Sequence, residues 1–346
     1  NPHKKHIIVI MIKEFSDNLK LPSYRIKQFN KQFYQEAISS WNELTTWPKE
    51  LREKLDKEVE FSKLKNIKEY ISKDQRSIKI LAETKDGHPV ESVLMYNKLK
   101  DRITVCVSCM SGCSVGCKFC ATGQMGLNTI LDSQEIIDQV MYFKRKLRNK
   151  GEKISNIVFM GMGEPMLNLD NILKSIEILT DEDKLALSPR RITVSTVGYI
   201  KQLREFLSKK TRVKIAISLH APNQELREAL MPTVAKENTL PELLSLMSEF
   251  EKDTNKRITY EYILLRDVND TLEHANQLSE ILKGKLALVN LINFNSSPSL
   301  PFQSSTREKI SKFKEILEKN GINATLRYSM GDEIQGACGQ LSAKNR

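Results

Sequence analysis

The sequence predicts an α/β protein built around an open, partial (β/α)6 barrel, with a small helical domain before it and an extension after it. From about residue 102 the apolar pattern alternates between strand and helix for six units, which favours a parallel sheet with helices outside it. Six units are too few for the closed eight-stranded barrel. A cysteine-rich loop follows the first predicted barrel strand, and open α/β sheets place function at such strand ends.

Residues 1–75 are predicted to form the N-terminal helical accessory domain. Ile26, Phe29 and Phe33 fall at helical spacing after Pro22. Met11 would serve as a start codon, so residues 1–10 are candidates for non-native sequence.

Residues 76–100 are predicted to form a β-hairpin linker. Side chains alternate over 77–84, and a second strand pattern follows over 89–95. Asp86 and Gly87 between them can form the turn.

The barrel core is expected over residues 101–300, and a C-terminal extension over 301–346. The extension holds a predicted helix at 306–320, a strand at 324–328 and a tail with Cys338. Predicted core strands occupy 103–107, 156–160, 191–196, 213–219, 257–264 and 286–293, and predicted helices include 133–148, 240–251 and 271–283.

The charge balance favours a polyanionic partner. The chain has 346 residues and a net charge of +11, from 54 Lys and Arg against 43 Asp and Glu. No apolar run approaches the roughly 20 residues that span a bilayer, and no secretory signal is recognisable. We therefore expect a cytoplasmic protein that does not bind a membrane. Basic residues cluster at 144–150, 190–191 and 209–214.

The cysteines indicate metal or redox chemistry. Five of the six lie between Cys106 and Cys120, whereas a secreted disulfide framework would spread them along a shorter chain. Cys113, Cys117 and Cys120 form a CxxxCxxC loop, and three thiolates on one loop can ligate three irons of a cubane cluster. A zinc site with Cys109 as fourth ligand is the alternative.

Four motifs carry a family resemblance. They are the stretch CVSCMSGCSVGCKFCATG, GMGEP at residues 161–165, SLHAPN at 218–223 and ACGQL at 337–341. The cysteine loop is typical of the radical S-adenosylmethionine (SAM) superfamily. In their order and separations the motifs resemble the RlmN/Cfr family of radical SAM RNA adenine methyltransferases, with RlmN as the more similar branch because Pro165 follows GMGE.

This resemblance implies two cofactors and their ligands. Cys113, Cys117 and Cys120 would hold one 4Fe-4S cluster, and the fourth iron would chelate SAM, of which two are used per turnover. The implied SAM contacts are Gly163, Glu164, Ser195, Ser218, Leu219, His220 and Asn295.

The resemblance also implies a mechanism that uses two cysteines. Cys338 would be methylated by a first SAM, and a radical from a second SAM would activate that methyl group for addition to adenine. Cys106 would then form a disulfide with Cys338 and release the RNA. Glu91 matches a proton acceptor. Cys109 departs from the family pattern, which commonly has serine there, and its role stays open.

The implied function is methylation of carbon 2 of adenosine 2503 in 23S rRNA, with adenosine 37 of tRNA as a further candidate. A flavodoxin or ferredoxin would donate electrons to an enzyme expected to be monomeric. One alternative is Cfr-like methylation of carbon 8, which confers antibiotic resistance. The other is a non-catalytic, zinc-stabilised RNA-binding protein.

Overall fold

A ten-stranded sheet forms the centre of the molecule. The computed structural model describes residues 21–97, 101–296, 300–327 and 331–342. In spatial order its strands are β1 (Lys65–Ile71), β2 (Ser77–Glu83), β3 (Pro89–Asn97), β4 (Arg102–Val107), β7 (Asn156–Phe159), β8 (Ile192–Thr196), β9 (Lys214–Ser218), β10 (Ile258–Leu264), β11 (Ala287–Asn293) and β12 (Asn323–Arg327). A separate two-stranded sheet, which the sequence did not predict, pairs β5 (Met110–Gly112) with β6 (Leu127–Ile130).

Parallel strands make up the barrel part of this sheet. All six predicted strands are present, and their apolar side chains are largely buried because helices cover the outside. The strands are β4 (Arg102–Val107), β7 (Asn156–Phe159), β8 (Ile192–Thr196), β9 (Lys214–Ser218), β10 (Ile258–Leu264) and β11 (Ala287–Asn293).

A seventh parallel strand extends the predicted set of six. Strand β12 (Asn323–Arg327) pairs with β11, so the region predicted as an extension adds to the barrel wall. The predicted strand included Tyr328, which lies outside the described residues.

The barrel helices agree with the helical periodicity of the sequence. Capping boxes at Asp132 with Glu135 and at Thr239 with Glu242 fix two of the N-termini. The helices are α3 (Ala121–Gln124), α4 (Ser133–Arg148), α5 (Leu169–Thr180), α6 (Ile200–Ser208), α7 (Gln224–Leu230), α8 (Pro232–Ala235), α9 (Leu240–Thr254), α10 (Leu272–Leu282) and α11 (Arg307–Lys319).

The N-terminal part is helical only up to residue 58. Helices α1 (Ser23–Asn30) and α2 (Lys49–Glu58) are present, but the helical prediction is wrong for Lys65–Ile71, which forms strand β1. Its Lys and Glu side chains favour helix locally, yet the strand pairs with β2 (Ser77–Glu83) at the sheet edge, where Lys65 and Lys68 are exposed and Glu69 pairs with Lys146. Residues 1–20, including the expected start at Met11, lie outside the described residues.

The predicted hairpin is present but is not a linker. Strand β3 (Pro89–Asn97) pairs with β2 on one side and with β4 on the other, where Val93 lies opposite Cys106. The hairpin therefore closes one side of the barrel sheet. None of the helices in the described ranges has the length and apolar character to cross a membrane.

Candidate active site

The cysteine loop begins at the C-terminal end of β4 and folds back through the β5–β6 hairpin. Cys113 N–H donates to the Gly126 carbonyl at 2.8 Å, and Cys120 N–H donates to the Cys117 carbonyl at 3.1 Å. Gly112 has φ +75°, and a Cβ there would lie 1.9 Å from the Gly126 oxygen. Only glycine allows this close backbone approach.

The three loop thiols face one cavity at the C-terminal ends of the barrel strands. Cys113, Cys117 and Cys120 all line it, and all are free thiols. Burial, and then the neighbouring thiols, raise the pKa of Cys117 well above its usual range. Soft thiolates suit an iron–sulfur cluster, and metal binding would remove their protons. Within the described ranges no three Cys, His, Asp or Glu side chains meet as ligands of one metal ion.

Glu164 is fixed at the edge of the same cavity. Its carboxylate accepts hydrogen bonds from Thr196 Oγ1 at 2.5 Å, Val197 N–H at 3.0 Å and Met166 N–H at 3.0 Å. Burial raises the pKa of Glu164 to about 7, and these three donors oppose the shift. A ligand ammonium group beside it would restore the charged form.

Gly163 lies where a side chain would not fit. Its φ is +100°, and a Cβ would approach Met110 Cβ at 2.6 Å and Cys109 Sγ at 3.0 Å. The glycine therefore lets the cavity wall pack directly on the strand that leads into the cysteine loop.

Gly163→Ala is expected to lower the free energy of unfolding in two ways. The positive φ strains the backbone of any other residue, and the added methyl group would clash with Met110, which should cost about 1–3 kcal/mol more. The matched control is Gly284→Ala, which has φ +73° but open space around its Cβ. Urea unfolding followed by circular dichroism measures both. Equal losses in the two variants would show that contact with Met110 does not matter.

His220 is neutral, and one of its two ring nitrogens is hydrogen-bonded within the protein. Its Nδ1 accepts the Ile263 N–H at 3.1 Å, and its ring packs edge-on against Phe119 with centroids 4.8 Å apart. Burial, and then Arg227, lower the pKa of His220 to about 3. Its other ring nitrogen remains a donor for a ligand in the cavity.

The other predicted SAM contacts separate into two groups. Ser195 and Ser218 line the cavity, with hydroxyls 3.2 Å apart. Leu219 is fully buried and does not line it, although its N–H donates to the Glu261 carbonyl. Asn295 also lies outside the lining, and its amide donates to the Cys338 carbonyl at 3.5 Å.

Cys106 and Cys338, which are far apart in sequence, come together inside the barrel. Both line a second, larger cavity that adjoins the first, and both are free thiols. Burial, and then Cys338, raise the pKa of Cys106 to about 12. The Cys338 segment is held by Ala121 N–H to the Gly339 carbonyl at 2.8 Å and by Thr122 Oγ1 to the Leu341 carbonyl at 2.6 Å.

Arg327 is a site residue that the sequence analysis missed. It is the last residue of β12, lines both cavities and donates to Met160 Sδ at 3.4 Å. Cys338, Glu261 and Cys106 raise its pKa, against the effect of burial. The sequence did contain one indication, an arginine at the C-terminal end of a predicted strand. The pairing of β12 with β11 is what places that arginine beside both cysteines.

Glu91 lies beside the C-terminal tail rather than in either cavity lining. Its carboxylate pairs with Lys79 at 2.6 Å and accepts the Ser342 N–H at 2.9 Å. These contacts tie the tail that carries Cys338 to β2 and β3. The proton-acceptor role stays a prediction.

Cys109 is buried behind Gly163 and does not line the cavity. Its carbonyl accepts Asn168 Nδ2 at 2.9 Å and Leu131 N–H at 3.1 Å. Burial, and then Glu164 and Cys113, raise the pKa of Cys109, so it lies near the loop thiols without sharing their cavity.

Comparisons with known proteins agree with this geometry. A family model of the radical SAM superfamily matches residues 107–278. A Dictyoglomus thermophilum protein named "Probable dual-specificity RNA methyltransferase RlmN" is 42% identical, over 93% of this chain and 91% of the relative. The chain belongs to the RlmN family of radical SAM methyltransferases. The predicted resemblance and fold class are confirmed.

Other RlmN relatives cover nearly the full length. The "Dual-specificity RNA methyltransferase RlmN" of Campylobacter jejuni strain 81-176 is 39% identical over 98% of both chains. A crystal structure of a radical SAM methyltransferase from Sphaerobacter thermophilus superposes with a TM-score of 0.93 at 39% identity, over 98% of both chains. As a radical SAM enzyme of the RlmN family, the protein uses a 4Fe-4S cluster and SAM. The non-catalytic zinc alternative is not supported.

Proposed function

We propose that this RlmN-family enzyme methylates carbon 2 of adenosine 2503 in 23S rRNA, with adenosine 37 of tRNA as a second substrate. The observation that carries the proposal is the meeting of Cys106, Cys338 and Arg327 in a cavity that adjoins the three loop cysteines. The names of the relatives support RNA as substrate and the RlmN branch over carbon 8 methylation.

Cys113, Cys117 and Cys120 would hold the cluster, and Glu164 and Gly163 would hold the methionine end of SAM. The bound cofactors supply the methyl group and the radical chemistry. Ser195, Ser218 and His220 offer hydroxyl and imidazole donors along the same wall. Leu219 and Asn295 would act by positioning the wall and the Cys338 segment.

The two inner cysteines would have different roles. Cys338 is proposed to carry the methyl carbon to the adenine ring, which is itself too electron-poor to attack a methyl sulfonium. Cys106 stays protonated in its buried position, so it does not compete for the methyl group. After the carbon has joined the ring, Cys106 loses its proton and its thiolate attacks the Cys338 sulfur. The sulfur–carbon bond then breaks, the carbon keeps the electron pair and takes up a proton to become the methyl group, and the disulfide leaves the RNA free.

Mass spectrometry of rRNA tests the substrate and the carbon. A strain lacking its own enzyme and complemented with this gene should contain 2-methyladenosine at position 2503. Finding 8-methyladenosine instead would assign the Cfr-like activity. A flavodoxin or ferredoxin donor, a monomeric state and a cytoplasmic location remain predictions of the same proposal.

Arg327→Met is expected to slow release of RNA by Cys106 about tenfold, which is about 1.4 kcal/mol. Arg327 lowers the pKa of the Cys106 thiol, so its loss raises that pKa further and leaves less thiolate at a given pH. Because any usable pH lies below this pKa, release should be slower by the same factor at each pH, and Arg327→Lys should slow it less. Denaturing gels across a pH series measure the rate of release, and wild-type rates at every pH would rule out this role.

A further inference from the structure

A large cavity opens at the end of the barrel opposite the cysteine loop. Its volume is about 1460 Å³, and it extends from the N-terminal ends of the parallel strands to Cys106, Arg327 and Cys338. Small-molecule pockets occupy roughly 300–1,000 Å³, so this space exceeds what one cofactor needs. The reacting cysteines can therefore be reached from a side that the SAM cavity does not occupy.

Six basic side chains surround this opening, and we call them the basic rim. They lie at or just before the first residues of β4, β8, β9 and β10, which brings them to one end of the barrel. Five are exposed and one is partly exposed. The basic rim consists of Arg102, Arg190, Arg212, Lys214, Lys256 and Arg257.

The charges of the basic rim are not neutralised by the protein. None of the six has an ion pair or side-chain hydrogen bond to any described residue. Burial, and then repulsion from Arg102, Arg191 and Arg257, lower the pKa of Lys214, so these cations are close to one another. Of the carboxylates in the cavity lining, Glu261 accepts a hydrogen bond from Asn290, and Glu318 pairs with Lys314.

Several residues of the other basic clusters have internal partners. On helix α4, Arg145 donates to the Ile38 carbonyl at 2.8 Å, and Arg148 pairs with Glu43 at 3.1 Å. These contacts attach the N-terminal helices to the barrel. On α11, lysines pair with glutamates one turn away. These clusters therefore differ from the basic rim, where six cations face one opening without an acidic partner among the described residues.

We propose that the basic rim is the RNA entrance of the enzyme, binding backbone phosphates while the target base enters the barrel from the N-terminal strand ends. This inference rests on the proposed function and adds the route by which the RNA enters and the side chains that bind its phosphates. A single nucleotide would engage only one or two of the cations, whereas a chain of phosphates matches a rim of six. A base reaches such a cavity most easily from a single-stranded or looped segment, where no pairing has to be broken.

Neutralising the basic rim should weaken RNA binding and reduce its salt dependence. For Arg212→Gln/Arg257→Gln, we expect at least tenfold weaker binding of an RNA hairpin with an adenosine in its loop. The slope of log affinity against log salt should fall by about one per removed cation. Fluorescence anisotropy across a salt series measures both, and circular dichroism checks folding.

The matched control is Lys312→Gln/Lys319→Gln, which removes the same charge from ion-paired positions on α11. This variant should bind RNA as the wild type does. A second measurement needs no variant. Acetylation of wild-type lysines, followed by peptide mass spectrometry, should show that RNA protects Lys214 and Lys256 but not Lys312.

Two failures can be told apart. If the wild-type enzyme neither binds nor methylates RNA, the proposed function is wrong. If it methylates RNA, yet the rim variant binds RNA with wild-type affinity and slope or the two rim lysines are unprotected, RNA enters elsewhere and the rim inference is overturned.

Discussion

Cys338→Ala is expected to reduce RNA methylation below detection. Cys338 is the proposed carrier of the methyl carbon, and alanine has no sulfur to accept it. The variant should therefore yield no methylcysteine, no methylated RNA and no covalent protein–RNA species. The peptide that contains position 338 and the digested RNA are both analysed by mass spectrometry.

Cys106→Ala is expected to fail differently, because Cys106 acts last. The variant should still methylate Cys338 and should then accumulate protein joined to RNA. On a denaturing gel this species should run slowly and should disappear after nuclease digestion, leaving a modified adenosine on Cys338. Cys109→Ser is the control, since Cys109 lies behind Gly163 and lines neither cavity.

The mechanism is identified by the different products of the two variants, because only Cys106→Ala should accumulate protein joined to RNA. A structural disulfide would make Cys106→Ala and Cys338→Ala equivalent and merely less stable. If neither variant carries RNA, and wild-type Cys338 is never methylated, the two-cysteine mechanism does not apply to this enzyme.

Cys117→Ala is expected to abolish the cluster and all reductive cleavage of SAM. The three loop thiols face one cavity, and a cubane cluster bound by two of them would lose the ligand of a third iron. Cys113→Ala and Cys120→Ala should behave alike. Iron and acid-labile sulfide are assayed in anaerobically purified protein, together with visible absorbance and the release of 5′-deoxyadenosine.

Cys109→Ser again provides the matched control. Serine nearly preserves the volume of this buried thiol, and Cys109 lies outside the cavity, so the variant should keep its iron and its absorbance. Full activity in Cys117→Ala, or loss of the cluster in Cys109→Ser with Cys117→Ala intact, would contradict the proposed ligand set.

Local pattern was sufficient for the barrel and for the cysteine loop. The strands are short, mostly apolar runs and several helices begin at a side-chain cap, so neighbouring residues largely determine where these elements begin. Cys113, Cys117 and Cys120 share one short loop, and their spacing alone indicated a cluster. Glu164 was predicted as a SAM contact because GMGEP at residues 161–165 resembles a motif of the family.

Local pattern failed where a partner strand or a distant segment decides the structure. Residues Lys65–Ile71 look helical by composition but form a strand, because β2 is buried and needs a neighbour on its outer side. The ion pair between Lys79 and Glu91, and its contact with the tail at Ser342, depend on segments from both ends of the chain.

The sequence by itself predicted the partial barrel and the cluster loop, and its resemblance to the family pointed to Cys106 and Cys338 as a redox pair. Only the tertiary structure decided that Arg327 lies beside Cys106 and Cys338. Only it decided which basic residues pair internally and which surround an open cavity. The physical reason is that ligand spacing is local along the chain, whereas electrostatic partners and cavities arise when strands distant in sequence become neighbours in a sheet.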